Sequence, residues 1–409
     1  MINKIYQTLK NGIIGDAILN IIATAILTVA NQIVVYPFLS RNMLANEYGD
    51  FLTIIGIINT VAVSFGNTLN ISRLLAQPMY SVEKKIGDFN LIFLKVVTYV
   101  SLILLVIFSF FFDLSVFTIF LLIILAILIT FRSYYVVDFR IILNYKKLLI
   151  MNILGVFGYI FGLLLFNTVN NWIIVFILGE LFSCIYLMLQ SGTVREPLIK
   201  TELYKQVNDK YYTLILSAFV SNSSQYLDRF LINPFLGSTE VSVYTVASFL
   251  GKSLNIVISP INSVILSYSV NEKFISSRQL YRKFIEYALI YLFMYILILL
   301  FGPMILKVLY PTIAEETQPY FAIANLSTII MGYGGTLMQL LLRYSKPKWQ
   351  LFINTIYLTL YFITSLFGLY FGGLLGFSIA ILISNTTRVI IMIVILIHSV
   401  KINPQNRKG

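Results

Sequence analysis

Residues 31–40 read Asn-Gln-Ile-Val-Val-Tyr-Pro-Phe-Leu-Ser, and residues 228–237 read Asp-Arg-Phe-Leu-Ile-Asn-Pro-Phe-Leu-Gly. The Pro-Phe-Leu unit with a small residue after it therefore recurs 197 positions further along the chain. The tyrosines that follow, Tyr48 and Tyr244, are 196 positions apart. A match that continues through an apolar run, a turn and the next apolar run predicts an internal repeat. Many secondary transporters are built from two such halves.

The composition is that of a membrane protein. Of the 409 residues, 58% are hydrophobic and only 11% are charged, whereas a soluble domain carries about 25% charged residues. A soluble globular enzyme, a disordered chain and a coiled coil are therefore excluded. With one cysteine (Cys184) and one histidine (His398), no internal disulfide and no Cys/His zinc site is expected. No catalytic motif stands out, so we expect a protein that is not an enzyme and needs no metal or cofactor.

Twelve apolar runs are long enough to cross a bilayer, which takes about 20 residues. We therefore predict an all-α integral membrane protein with twelve transmembrane helices. The predicted spans are 12–36, 48–72, 88–112, 114–137, 148–168, 171–190, 211–234, 242–268, 284–310, 319–343, 349–371 and 374–400.

The positive residues fall almost entirely on one side of these spans. Of the 29 Lys and Arg, 23 lie on the side of the two termini, and only Arg41 and Lys307 lie on the other. This asymmetry predicts that both termini are cytoplasmic, so most of the net charge of +12 reports orientation and indicates no nucleic-acid partner. Four cations fall inside spans, namely Lys95, Arg229, Lys252 and Arg388.

The longest connection lies halfway along the chain and is rich in alternating charges. It predicts an N-terminal lobe of six spans over residues 1–195, a cytoplasmic linker over 196–210 and a C-terminal lobe of six spans over 211–409. The repeat places both halves in the same topology.

Two stretches resemble bacterial polysaccharide exporters, the O-antigen and capsule repeat-unit flippases of the multidrug/oligosaccharidyl-lipid/polysaccharide (MOP) superfamily. The stretch from Asp228 to Ala247, followed by Ser259-Pro260, resembles their seventh and eighth spans. The stretch from Asn31 to Gly49 is similar to their first-span signature. The resemblance covers the whole chain, because length, span number and the 6+6 organisation also fit.

This resemblance implies two lobes in a V around a central cavity, and alternating access to it. The implied substrate is an oligosaccharide on undecaprenyl diphosphate, carried across the bacterial cytoplasmic membrane for surface polysaccharide assembly. It also implies a polysaccharide polymerase and glycosyltransferases as partners in the pathway. A cation-coupled multidrug exporter of the same superfamily is the main alternative, and a polysaccharide polymerase is a weaker one.

Polar residues recur every three or four positions in the first, second, seventh and eighth spans. In the eighth, Ser248, Lys252 and Asn255 are spaced by four and three, which places them on one helical face. Since polar side chains are costly within the bilayer, we predict that these faces line the substrate cavity. The candidates are Asp16, Asn20, Asn31, Asn67, Asn70, Arg73, Ser221, Gln225, Asp228, Arg229, Lys252, Asn255 and Asn262.

Several roles remain open for these residues. Arg73, Arg229 and Lys252 fit a diphosphate, which needs concentrated positive charge, but small polar residues also hold membrane helices together. A structural ion pair or cap is an alternative for Asp228 and Arg229. Glu180 and Arg388, in corresponding spans, each need a partner within or across the lobes. Asp16, Asp228 and Glu180 are alternatives for coupling a proton or sodium ion.

The charge asymmetry makes the topology testable. A reporter enzyme that is active only outside the cytoplasm, fused after residue 409, should be inactive, whereas the same reporter inserted beside Lys307 should be active. Activity of the C-terminal fusion would contradict the predicted orientation.

Overall fold

A computed structural model describes residues 19–83, 86–258, 262, 275–345 and 348–402, and all regular structure in these ranges is helical. We number its thirteen helices in chain order. They are α1 (Leu19–Asn42), α2 (Ala45–Glu83), α3 (Phe89–Phe111), α4 (Val116–Ile141), α5 (Tyr145–Val169), α6 (Trp172–Gln190), α7 (Tyr204–Ser223), α8 (Leu227–Leu236), α9 (Ser238–Ala247), α10 (Phe249–Ile258), α11 (Ser277–Leu309), α12 (Gln318–Tyr344) and α13 (Lys348–Ile402).

The chain is a multi-span membrane protein. Within the described residues, nine helices are long and apolar enough to cross a bilayer, or ten if the bent pair α9 and α10 forms one span. The count reaches twelve only when the broken pair α7 and α8, and the two arms of α13, are also counted as spans. Twelve spans in two lobes therefore stays a prediction.

Short polar residues begin and end several of these helices. Ser115 accepts a hydrogen bond from the Thr118 backbone N–H at 3.2 Å, and Asn171 accepts one from the Ile173 N–H at 2.9 Å. Asn170 ends α5 in the left-handed conformation. These residues satisfy or terminate the backbone at helix ends, where intrahelical partners are missing.

Two predicted spans are not continuous helices. The seventh, predicted over 211–234, begins earlier at Tyr204 and breaks between Ser223 and Leu227. In the eighth, predicted over 242–268, α9 and α10 meet at an angle of 54° around Ser248. The first break falls in the polar run Ser-Asn-Ser-Ser-Gln-Tyr over residues 221–226, which lies between two apolar stretches and was included in one predicted span. The composition around Ser248 stays mostly apolar, so hydropathy gave no sign of the second break.

The boundary predicted between the spans 349–371 and 374–400 coincides with a break in the helical backbone. Gly373 has φ 54° and ψ −138° and divides α13 into two arms. The arms pack against each other, since the Thr364 and Ser384 hydroxyls are 2.7 Å apart and a Cβ added to Gly368 would lie 2.5 Å from the Gly376 carbonyl oxygen.

The chain forms two compact units. The first comprises Met1–Leu39 and Phe51–Leu227, and the second comprises Ser40–Asp50 and Asp228–Gly409. The charged connection at residues 196–210 belongs to the first unit. The lobes predicted from the sequence, with their boundary at this connection, stay a prediction.

The close approach of the two arms predicts a position-specific cost. Gly368→Ala should destabilise the protein by about 1–3 kcal/mol, because the new methyl group overpacks the contact with Gly376. Gly372→Ala is the matched control in the same hairpin, since a Cβ there meets no atom within 4 Å. Thermal unfolding of the purified protein in detergent measures both variants, and equal melting temperatures would contradict the contact.

Candidate functional site

The predicted site residues divide between the two units. Asp16 lies outside the described residues. The other candidates in the first unit are Asn20, Asn31, Asn67, Asn70, Arg73, Ser221, Gln225 and Glu180, and those in the second are Asp228, Arg229, Lys252, Asn255, Asn262 and Arg388. A single cavity lined by both groups stays a prediction, so we describe the polar clusters of each unit separately.

In the second unit, an ion pair joins two broken helices. The Lys252 ammonium, in the first turn of α10, pairs with the Asp228 carboxylate in the first turn of α8. The Asp228 side chain is only 6% exposed, whereas that of Lys252 is 28% exposed. Arg229 is also buried and adds positive charge near the same carboxylate. Lys252 is therefore partly accessible, and its charge is largely balanced by Asp228.

The bend next to Lys252 has its own polar support. Asn325, fully buried in α12, accepts a hydrogen bond from the Gly251 N–H at 2.8 Å and donates one to the Ala247 carbonyl at 2.7 Å. Both backbone groups flank the bend at Ser248, where helical hydrogen bonds are interrupted. Asn325 thus satisfies backbone groups that lipid cannot and fixes the direction of α10.

Two predicted cavity residues instead make contacts with α12. Asn255 donates to the Thr328 carbonyl at 2.9 Å. The carbonyl oxygen of the Asn262 side chain accepts from the Thr336 hydroxyl at 2.8 Å, and this hydroxyl also contacts the Tyr291 hydroxyl at 2.7 Å. These contacts match the alternative in which polar residues hold membrane helices together.

Arg388 lies on the second arm of α13 and contacts the first arm. Its Nη2 donates to the Asn354 side-chain oxygen at 3.4 Å, and its guanidinium carbon is 4.6 Å from the centre of the Tyr357 ring. No carboxylate in the described part of the chain pairs with it. The partner expected within the unit is therefore a neutral amide and an aromatic face.

In the first unit, Arg73 is tied to the charged connection. Its Nη1 donates to Glu196 Oε2 at 2.8 Å and to the Tyr134 hydroxyl at 3.0 Å. Nearby, Asn70 donates to the Ser133 carbonyl at 3.1 Å. The charge of Arg73 is therefore balanced by Glu196.

The same connection is held at further points. The buried carboxylate of Asp88 accepts hydrogen bonds from the Thr201 backbone N–H and from the Tyr80 hydroxyl, each at 2.6 Å. Asn90 donates to the Thr193 carbonyl at 3.1 Å and to the Glu196 carbonyl at 2.9 Å. Residues 193–201, which include the first part of the predicted linker, are therefore held to the rest of the first unit by hydrogen bonds.

Glu180 pairs with a cation of its own unit. Arg132 of α4 donates to its two carboxylate oxygens at 2.5 and 3.0 Å, and the Tyr159 hydroxyl donates at 2.9 Å. The Glu180 side chain is 3% exposed. Of the two partnerships left open by the sequence, the one within the lobe is present.

The remaining candidates of the first unit form no common cluster in the described residues. The side-chain oxygens of Asn20 and Asn31 are buried without a hydrogen-bond partner, and Asn31 begins a π-helical segment that ends at Val35. Ser221 and Gln225 are exposed and Asn67 is half-buried. No group of three or more metal-binding side chains occurs in the described part of the molecule.

Solved structures share this architecture. An inward-facing MATE family multidrug resistance transporter of the MOP superfamily superposes with a TM-score of 0.68 at 16% identity, covering 95% of this chain and 99% of that one. An outward-facing one gives 0.60 at 14% identity, covering 96% and 95%. A mutant of the Vibrio cholerae MATE transporter VcmN gives 0.59 at 13% identity, covering 98% and 99%.

The chain has the MATE fold. This likeness shows the fold that the resemblance implied, and identities of 13–16% support nothing finer. No protein-family model matches the sequence, and no curated protein sequence matches it significantly.

Several residues that shape these clusters on the MATE fold were not singled out from the sequence. They are Asn325, Arg132, Glu196, Asp88 and Asn90. Asn325 carries a usable signal, because it is an amide in the middle of an apolar run, where polar groups need a partner. The other four lie at span ends or in connections, where charged residues are common and carry no signal.

The buried Arg132–Glu180 pair predicts a large cost of breaking it. Glu180→Gln should destabilise the protein by about 3–5 kcal/mol, since it leaves the Arg132 charge without an acidic partner. Adding Arg132→Met should recover much of this loss. The control is Glu286→Gln, which breaks the exposed Arg282–Glu286 pair and should cost at most about 1 kcal/mol. Thermal unfolding in detergent compares them, and similar losses for Glu180→Gln and the control would contradict the assignment.

Proposed function

We propose that the protein exports an anionic, lipid-linked oligosaccharide across the bacterial cytoplasmic membrane by alternating access. The MATE fold supports a transporter, and the resemblance of the stretches from Asn31 to Gly49 and from Asp228 to Ala247 to polysaccharide exporters supports the substrate class. In this proposal the carrier is undecaprenyl diphosphate, and the polymerase and glycosyltransferases of the pathway are the functional partners.

The observation that carries the proposal is the charge balance within the spans. Of the three acids that the sequence offers for cation coupling, the two that the structure describes, Glu180 and Asp228, are already paired with cations. Arg388, by contrast, has no acidic partner in the described residues. An exporter of cationic drugs needs an uncompensated acid, whereas an exporter of a diphosphate needs a positive charge and hydrogen-bond donors.

Broken helices supply the places where such a transporter can bend. The break between α7 and α8 and the 54° bend between α9 and α10 both lie beside the Asp228–Lys252 pair. In this proposal the pair holds two helix segments together in one state of the transport cycle. Lys252, partly exposed, also offers its ammonium to the substrate.

The second candidate is a multidrug exporter coupled to a cation. The likeness to solved MATE family structures favours it, although the charge balance does not. Within this alternative, Asp228 or Glu180 would have to release its basic partner to bind a proton or sodium ion.

Two assays separate the candidates. Proteoliposomes containing the purified protein and a fluorescent undecaprenyl-diphosphate oligosaccharide should expose its sugar to an external lectin faster than protein-free liposomes do. Cells expressing the protein should accumulate as much of a fluorescent cation as control cells. Reduced cation accumulation without any gain in lectin binding would reject the proposal in favour of multidrug export.

The Asp228–Lys252 pair gives a prediction for transport. Lys252→Glu should lower lectin-detected export by about 10- to 100-fold, because it replaces a charged hydrogen-bond donor with a repelling acid. Lys252→Arg should retain most of the activity.

A double variant separates substrate binding from support of the fold. Asp228→Asn combined with Lys252→Met removes both charges, so the melting temperature of this double variant should be close to that of the wild type. If Lys252 contacts the substrate, this variant stays inactive. Export at the wild-type rate in Lys252→Glu would remove Lys252 from the site.

A further inference from the structure

Arg388 is a half-buried cation with most of its hydrogen-bonding capacity unused. A guanidinium carries five N–H donors, but only Nη2 donates here, to Asn354 over a long 3.4 Å. Its Nε is buried without a partner, and the Tyr357 ring covers one face of the group at 4.6 Å. A guanidinium held in this way offers a free fork of donors to any group that carries two acceptor oxygens.

Three tyrosines surround the same region of the second unit. The rings of Tyr357 and Tyr361 are 5.8 Å apart, and Tyr244 and Tyr361 are buried. Tyr361 interacts electrostatically with both Tyr244 and Tyr357. Their hydroxyls make no hydrogen bond to any residue in the described ranges. These hydroxyls are therefore available to donate hydrogen bonds to a bound group.

The charges around these tyrosines leave a positive excess. Tyr244 and Tyr361 both interact electrostatically with the Asp228 carboxylate, but Lys252 balances that group and stands 5.6 Å from the centre of the Tyr244 ring. Arg388 has no corresponding acid in the described part of the unit. The surroundings therefore offer an unbalanced positive charge, neutral donors and aromatic faces.

We propose that Arg388, Asn354, Tyr244, Tyr357 and Tyr361, together called the Arg388 cluster, form a subsite for an oxyanion of the transported head group. The guanidinium fork holds the two oxygens, and the tyrosine hydroxyls donate to them. The aromatic faces suit the apolar face of a sugar ring. The oxyanion is a carboxylate on an acidic sugar or a phosphate of the carrier. This inference rests on the proposed function and adds to it a specific group of the substrate.

Equilibrium binding tests the cluster without transport. The full chain, purified in detergent, is titrated with methyl glucuronide, with inorganic pyrophosphate and with methyl glucoside as the neutral probe, and binding is followed by calorimetry. We expect one of the anions to bind and the neutral glycoside not to bind. Binding of the glucuronide assigns the subsite to a sugar carboxylate, and binding of pyrophosphate alone assigns it to the carrier phosphate.

Variants locate the binding in the cluster. Arg388→Gln should lower the affinity for the anion by about tenfold or more, since it removes a charge-assisted bidentate contact. Arg388→Lys should recover part of the affinity, because it keeps the charge and loses the fork. Arg282→Gln, at an exposed cation of the same unit, is the matched control and should bind as the wild type does.

A variant with a smaller change separates a loss of anion binding from a loss of folding. Tyr361→Phe removes only a hydroxyl that has no protein partner in the described residues, so its melting temperature should equal that of the wild type. Its affinity for the anion should still fall severalfold. Wild-type affinity in both Arg388→Gln and Tyr361→Phe, or equal binding of the glucuronide and the glucoside with no binding of pyrophosphate, would overturn the proposal. Intact lipid-linked oligosaccharide export alongside that result would leave the proposed function standing, so the two failures are distinguishable.

Discussion

The structure depends on one constraint, which is that lipid offers no hydrogen-bond partner to backbone or charged groups. A helix interruption or an ion within the spans must therefore be satisfied by the protein itself or face a water-filled cavity. At the bend around Ser248, Asn325 supplies a donor and an acceptor to the flanking backbone. Where Glu180 is buried in the first unit, Arg132 and Tyr159 satisfy its carboxylate. The same requirement explains why the break before α8 and the bend at Ser248 both lie beside an ion pair.

This constraint also sets how much of the fold could be predicted from the sequence. Length and apolarity predict spans, because a bilayer demands both, and the turn at Gly373 is visible as a pair of glycines between two apolar runs. The break between Ser223 and Leu227 is not obvious, because the polar residues there, such as Ser221, Ser224 and Asp228, also fit one face of a continuous helix. The bend at Ser248 is likewise hidden. It requires an amide from α12, about 75 residues away, and a single sequence does not show that contact.

The sequence shows which residues of the candidate site are polar or charged, but it does not show which of them pair with each other. Helical spacing correctly grouped Lys252 with Asn255 on one helix, but Lys252 pairs with Asp228 whereas Asn255 bonds to α12. Arg73 has its acid, Glu196, 123 residues away in a stretch that the sequence presents as a solvated linker. Periodicity describes one helix, and the partner of a side chain depends on the neighbouring helix that packs against it.

These partnerships bear on function because they decide which charges remain for a substrate. Taken as residue types, the spans contain several cations and acids, which alone favour no sign of substrate charge. Once Glu180 and Asp228 are paired, neither offers a free acid to a cationic drug. An unpaired guanidinium in a low-dielectric region is costly, so a protein that keeps Arg388 beside neutral donors gains most when an anion completes the site. The sign of this remaining charge, more than the shape of the fold, favours an anionic cargo.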